Sequence, residues 1–361
     1  MTSPKGIGII AALCMVTAGC AVGHQAAPGR TDPPRDVSAI TAAPLVVRQE
    51  GSFFVGGTTL HSHSLASIQP VAPEGSITVG QMYVQYQIPL HARENPIVFV
   101  HGCCLTGKTW ETTPDGRMGW NEFFTRAGFA TYVVDQPWRG RSATDISPLN
   151  AARLGAKAAD LPPVFAASHE SAWTLFRFGP TWPAAFADER FPLSAIDALW
   201  AQMVPDWTKS FQGINPTVRP LATLAARLGH AIIVSHSQSG IYPFQAATLQ
   251  PEAIAGIIAI EPGACPPADP LPAPFRSIPI LIVFGDHVIE SPHWAPKQAQ
   301  CRTFAQAVQK SGGNATLLSL PDAGIHGNTH MMMQDLNSLE IANLLIAWIE
   351  KNMAAARAAA P

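Results

Sequence analysis

Ser237 stands in the segment IIVSHSQSG, residues 232–240, where a run of β-branched residues breaks into small polar ones. A serine hydroxyl on a tight strand-to-helix turn can serve as a nucleophile. Small flanking side chains let the backbone pass and leave Oγ protruding toward a substrate. The usual pattern of such an elbow is G-x-S-x-G, and here Ser235 and Ser239 fill the glycine places. A serine-rich turn capping an ordinary helix has a similar composition, so the weight of the motif rests on what surrounds it.

Three further segments carry what acyl transfer needs. IVFVHGCCLTG sets His101 and Gly102 directly after an apolar run, the place of a turn whose backbone N–H groups form half of an oxyanion hole. The expected donors are the backbone N–H of Cys103 and that of Gln238, the residue after the nucleophile; losing one such donor typically lowers the rate about 10²- to 10³-fold. A bond between the adjacent Cys103 and Cys104 would lock the peptide between them and hold that amide in place. The alternative is two small residues that merely fit.

The base is expected late in the chain, where PDAGIHGNTHMMMQD offers His326 and His330. His330 is preferred, because Gly327-Asn328-Thr329 can turn and swing it over the sheet, whereas His326 lies nearer the strand end. The spacing of the pair also suits zinc, but no HExxH glutamate or third ligand accompanies it, so no metal and no cofactor are expected. For the acid, Glu261 ends the apolar run IIAIEPGA, where a carboxylate is costly without a role. Asp286 in VFGDH lies in the usual region, yet the place three residues past Gly285 is Val288. Glu261 is preferred and Asp286 read as a turn residue; the alternative for Glu261 is a carboxylate that caps the following turn.

These residues need a scaffold that brings strand ends together. GSFFVGG and ITVGQMYVQYQIPL alternate as antiparallel edge strands. From residue 97 onward the apolar runs PIVFVHG, FATYVVDQP, HAIIVSHS, IAGIIAIEP, PILIVFGDH and ATLLSLPDAG alternate with helical stretches. That pattern predicts an α/β fold: a mostly parallel sheet with helices on both faces and ligands beyond the carboxyl ends of the strands. The spacing breaks at about 143–218 in a segment rich in Pro, Trp and Phe, read as an inserted cap. Most of Trp173, Phe176, Phe178, Trp182, Phe186, Phe191, Trp200, Trp207 and Phe211 should form the cap's own core, with a minority lining an apolar pocket. LEIANLLIAWIEKNM reads as an amphipathic helix on the sheet.

Composition narrows the ligand. A net charge of −2 and a pI near 6.6 speak against nucleic acid and other polyanionic or strongly cationic partners. Residues 1–20 have the layout of a secretory leader, Lys5 followed by GIGIIAALCMV and TAGCA. Thr-Ala-Gly-Cys resembles a lipobox, which would make Cys20 a lipidated first residue attached to a membrane; ordinary cleavage a little downstream is the alternative. Residues 21–44 read as a flexible tether, 45–352 as the folded domain and 353–361 as a frayed tail. Of six cysteines, four remain beyond the leader. If Cys103 pairs with Cys104, Cys265–Cys301 is the remaining pairing, and both fit an exported protein: periplasmic, extracellular or lipid-anchored at the cell envelope.

Together HGCC, SHSQSG, Glu-Pro-Gly and HGNTHMMMQD resemble a group of secreted bacterial esterases in the α/β-hydrolase superfamily, over about residues 50–352. The resemblance implies a glutamate acid at Glu261, a base at His330, a nucleophile at Ser237 and a Cys103–Cys104 disulfide in the oxyanion turn. It implies hydrolysis of carboxylic esters through an acyl-enzyme; the low net charge and the apolar cap point to neutral, fairly apolar substrates, either small molecules or polymers. The alternatives are an amidase or peptidase on the same triad, and a lipoprotein that keeps the fold as a non-catalytic binding module.

Overall fold

A computed structural model describes Met1 and residues 36–42, 44–210 and 213–358. The leader, Cys20, most of the tether and Phe211 lie outside the described residues. Eight strands form one sheet: β1 (Val47–Ser62), β2 (Gly75–Pro89), β3 (Ile97–Val100), β4 (Thr131–Asp135), β5 (Ala231–His236), β6 (Ile254–Ile260), β7 (Ile280–Phe284) and β8 (Ala315–Ser319). Their order is β1-β2-β4-β3-β5-β6-β7-β8. β1 and β2 are antiparallel, β2 joins β4 antiparallel, and every later pairing is parallel.

The parallel strands read as unbroken apolar runs because both faces are covered. Alternation still assigns each side chain to a face. Val98, Val100, Ile233, Ile257 and Ile280 belong to one core layer, and Ile97, Phe99, Ile232, Val234 and Ile258 to the other. Along the chain the helices are α1 (Val37–Ala42), α2 (Trp120–Arg126), α3 (Ser147–Arg153), α4 (His169–Leu175), α5 (Ile196–Trp200), α6 (Val218–Leu228), α7 (Tyr242–Leu249), α8 (Ala295–Lys310) and α9 (Ser338–Ala358). Leu221 of α6, Phe244 of α7 and Phe304 of α8 fill the first layer; Phe123 of α2 and Ile346 of α9 fill the second.

Two boundaries differ from expectation. Residues 37–42, expected within the tether, form a helix because Val37 and Ile40 pack on the second core layer. The last helix runs on to Ala358, past the expected end at 352. α3, α4 and α5 lie in the inserted cap, whose Trp173, Phe176, Phe178 and Phe191 are buried in that same layer. The cap therefore shares a core with the sheet rather than lying over it as a loose lid. Cys265, after β6, is bonded to Cys301 of α8 across 36 residues, a closure that contributes roughly 4 kcal/mol in the chain-entropy picture.

Candidate active site

The ends of β3, β5, β6 and β7 bring the expected residues together. Ser237 follows β5 directly with φ of 57°, and the chain turns through Ser237–Ile241 into α7. The space around this turn is tight. A Cβ on Gly102 would approach Ser237 Cβ to 2.8 Å, and one on Gly240 would reach Pro262 Cβ at 2.4 Å. Ser239, in a usual glycine place, knits the turn. Its Oγ donates to Val100 O at 3.0 Å and to His236 O at 2.9 Å as alternatives, and accepts the His236 N–H at 3.1 Å.

His330 is fully buried, with Nδ1 3.3 Å from Glu261 Oε2. Its ring lies between Phe176 and Trp294, with centroids at 5.6 Å and 4.2 Å. The neighbouring His236 is 2.9 Å from the His330 carbonyl through Nε2, and Asp335 holds the preceding turn by accepting the Thr329 N–H at 2.8 Å and Asn328 Nδ2 at 2.9 Å. His330 Nε2 has no hydrogen-bond partner among the described residues. The bond to Ser237 Oγ is therefore not made at rest, as is common for catalytic pairs before substrate binds. Burial lowers the His330 pKa to about 4 despite the Glu261 bond that raises it.

Asp286 and His326 form a separate pair at the surface. Asp286 Oδ2 accepts the Gly327 N–H at 3.0 Å and lies 3.1 Å from His326 Nδ1. Each histidine thus has its own carboxylate, and the buried pair is the one at the ends of β5 and β6.

Arg177 is the residue that sequence reasoning missed. It follows α4 in the cap, is 2% exposed, and grips both Glu261 oxygens, NH2 to Oε1 at 2.6 Å and NH1 to Oε2 at 3.0 Å. Its Nε donates to Asp286 O at 2.7 Å, and Gly285 N–H adds a further bond to Glu261 Oε1 at 2.5 Å. Burial alone would raise the Glu261 pKa; the Arg177 charge, followed by the His330 bond, outweighs it and brings the value down to about 2. A charged residue within LFRFGP is a signal that could have been read, since a buried guanidinium requires a partner.

A second cap-to-core network holds the turn after β3 that contains Cys103 and Cys104. Asp206 is fully buried and paired with Arg139, whose NH2 also reaches Thr208 Oγ1 at 3.0 Å and Gln238 Oε1 at 3.1 Å. Asp206 Oδ2 accepts from Gln238 Nε2 at 3.0 Å and from the Cys104 N–H at 3.3 Å, while Val204 N–H donates to Cys104 O at 2.9 Å. The two segments expected to supply oxyanion donors are thus fixed by the same carboxylate. Cys104, Arg177, Ser237 and Glu261 all have positive φ, between 50° and 60°. Such strain, of order 1–3 kcal/mol each, persists only where surroundings over-determine it, and it clusters at functional sites.

The sulfurs of Cys103 and Cys104 lie 2.7 Å apart as free thiols. A disulfide spans about 2.03–2.05 Å, so the expected bond is not formed in this structure, although the two sulfurs stand closer than unbonded sulfurs pack. A cavity of about 330 Å³ opens here, lined by Cys103, Leu175, Ser237, Gln238, Gly263, Ala264, His293 and Trp294. Leu175 is the cap's contribution, and its carbonyl accepts from Trp294 Nε1 at 2.7 Å. Most of the described cap aromatics pack on one another or on the core, as expected, as in the Trp173–Trp182 and Phe178–Phe191 pairs with centroids at 5.1 Å and 4.6 Å, and none of those described lines this cavity. The aromatic wall is Trp294, at the start of α8.

No family model matches the chain. It is similar to a bacterial esterase of known structure, with 54% identity, a TM-score of 0.84, and coverage of 86% of this chain and 98% of that one. It is also 26% identical over 320 residues to "Probable secreted lipase phiG" of Fungal sp. (strain ATCC 74256), covering 75% of this chain and 86% of the relative. On the first match the chain belongs to the α/β-hydrolase superfamily, among its esterase- and lipase-like hydrolases.

Proposed function

We propose that this protein is a serine carboxylic-ester hydrolase that works through an acyl-enzyme on neutral, fairly apolar esters. The observation that carries the reading is the buried Arg177–Glu261–His330 array, in which His330 Nε2 is left unpartnered and the ring lies 4.5 Å from that of His236, the residue before the strained Ser237. His330 Nε2 takes the Ser237 proton as Oγ bonds to the ester carbonyl carbon. The carbonyl electron pair moves to the oxygen, which the Cys103 and Gln238 amides receive. Collapse expels the alcohol, which takes the proton from His330. Water, deprotonated by the same nitrogen, then releases the acid and restores Ser237. Glu261 keeps Nδ1 protonated and stabilises the imidazolium while it exists.

Among the described residues the cavity wall has no carboxylate and no guanidinium or ammonium group, which supports a neutral substrate. An aryl-ester panel of graded acyl length tests this. Short and medium neutral chains should turn over fastest, and an acyl chain ending in a carboxylate should lose most of the activity. Equal rates on the charged ester, or faster cleavage of the matching anilides than of the esters, would overturn the substrate assignment.

Export belongs to the same reading: the leader pattern, the Cys265–Cys301 bond and the name of the fungal relative support it. In an oxidising compartment a thiol–disulfide oxidase would take two electrons and two protons from Cys103 and Cys104 and join their sulfurs, fixing the oxyanion turn. Alkylation of the exported, unreduced protein followed by mass spectrometry should find neither thiol modified. Two alkylated thiols would sink that step.

A further inference from the structure

The β1–β2 hairpin reaches well past the rest of the sheet. β4 pairs with β2 only over Tyr83–Gln87, whereas the hairpin ladder continues to Ser62 opposite Gly75. At that far end His61 is the penultimate residue of β1, His63 follows in the bend just past the strand, and Glu74 immediately precedes β2. His61 Nε2 is 3.4 Å from Glu74 Oε1, and His63 Nδ1 is 3.4 Å from Glu74 Oε2. One donor atom from each of the three residues lies within 4.8 Å of the others. Zinc bonds of about 2.0–2.1 Å in a tetrahedron put neighbouring donors about 3.4 Å apart, which is the spacing to Glu74 found here.

A metal-bound histidine commonly commits its other ring nitrogen to an oxygen that fixes tautomer and orientation. His61 Nδ1 lies 3.3 Å from Ser76 Oγ, directly across the ladder, which leaves Nε2 free to face Glu74. The two rings meet edge to face at 5.2 Å, so both can turn a nitrogen toward one point.

We propose that His61, His63 and Glu74 form a surface site for a borderline transition-metal dication, represented here by zinc. Two imidazoles and one carboxylate suit zinc, copper or nickel rather than calcium or magnesium, which take oxygen ligands. Three protein ligands leave a fourth position to water. The ion clips residues 63–74 to the ladder and takes no part in the hydrolytic site. A second group, Asp188, Asp286 and His287, has similar spacing. Its acceptors are already engaged, Asp286 by Gly327 and His326, and Asp188 by His287 at 2.9 Å.

The test uses the full chain without an affinity tag, stripped of metal and titrated with zinc chloride by calorimetry, and with cobalt chloride by visible absorption. One zinc per chain is expected, with a tetrahedral-type cobalt spectrum and no uptake of calcium at the same concentration. His63→Ala and Glu74→Gln should each abolish the one-to-one uptake, and Ser76→Ala should weaken it about 10-fold, all with ester hydrolysis unchanged. Absence of saturable zinc uptake would overturn the proposal. So would uptake that persists unchanged in His63→Ala and Glu74→Gln, which would place the ion elsewhere.

Discussion

Ser237→Ala is expected to lower kcat by about 10⁶-fold, since members of a triad act as a unit and the remainder comes from binding and the oxyanion donors. The fold should be retained, because Ser237 Oγ is not among the bonds that knit the elbow; Ser239 makes those. KM should change little if the substrate is held by the cavity wall rather than by the hydroxyl. Steady-state rates on one aryl ester, with a thermal melt of both proteins, check this. A variant that folds and keeps a tenth of the activity would remove Ser237 from the mechanism.

Arg177→Ala is expected to have the next largest effect, lowering kcat/KM about 10²- to 10³-fold, the scale of one preorganised electrostatic contact. Its loss leaves Glu261 buried, held by Gly285 N–H and His330 alone, and breaking such a pair destabilises a fold by about 3–5 kcal/mol. A merely structural loss would move stability alone, so the pH profile is the deciding readout. With His330 at about 4, the acid limb of kcat/KM in the unmodified enzyme should lie well below pH 6. The Arg177 charge disfavours the imidazolium, so removing it should raise the His330 pKa and move that limb upward. Arg177→Lys keeps the charge without the two-pronged grip and should fall between the two. An acid limb that stays in place in Arg177→Ala would contradict the positioning role.

These two pKa shifts each contribute to stability with one direction in pH, opposed by the raised carboxyls of Glu189 and Asp335. His330, depressed from 6.5 to about 4, contributes stability that is present above 6.5 and lost as pH falls toward 4. Glu261, depressed from 4.5 to about 2, adds a further loss below 4.5. Both act in the same sense, because the unfolded chain binds the protons that the fold excludes.

The strand ends were legible in the sequence because parallel strands covered on both faces must be unbroken apolar runs, so a polar residue at the end of one stands out. Ser237 and Glu261 are such residues. The preference for Glu261 over Asp286 followed from the cost of a carboxylate there, and the buried contact to His330 is its structural counterpart. Arg177, Asp206 and Arg139 were not assigned because they depend on how the cap crosses the strand ends, and an irregular segment has no period from which to read a direction. The cap aromatics were legible as buried residues but not as pocket-lining ones, because composition reveals that a segment must bury apolar surface, not which face it presents. That surface went into a core shared with the sheet, leaving Leu175 and Trp294 to shape the pocket.

The account rests on Ser237 as a nucleophile activated by His330, and a fluorophosphonate probe tests this most directly. Intact-mass analysis of the folded protein should show one phosphonyl adduct per chain, with peptide mapping placing it on Ser237. His330→Ala should slow the labelling by orders of magnitude, and Ser237→Ala should abolish it. Folded protein that takes up no probe, or takes it up at another residue, would contradict the mechanism and favour a binding module on the same fold.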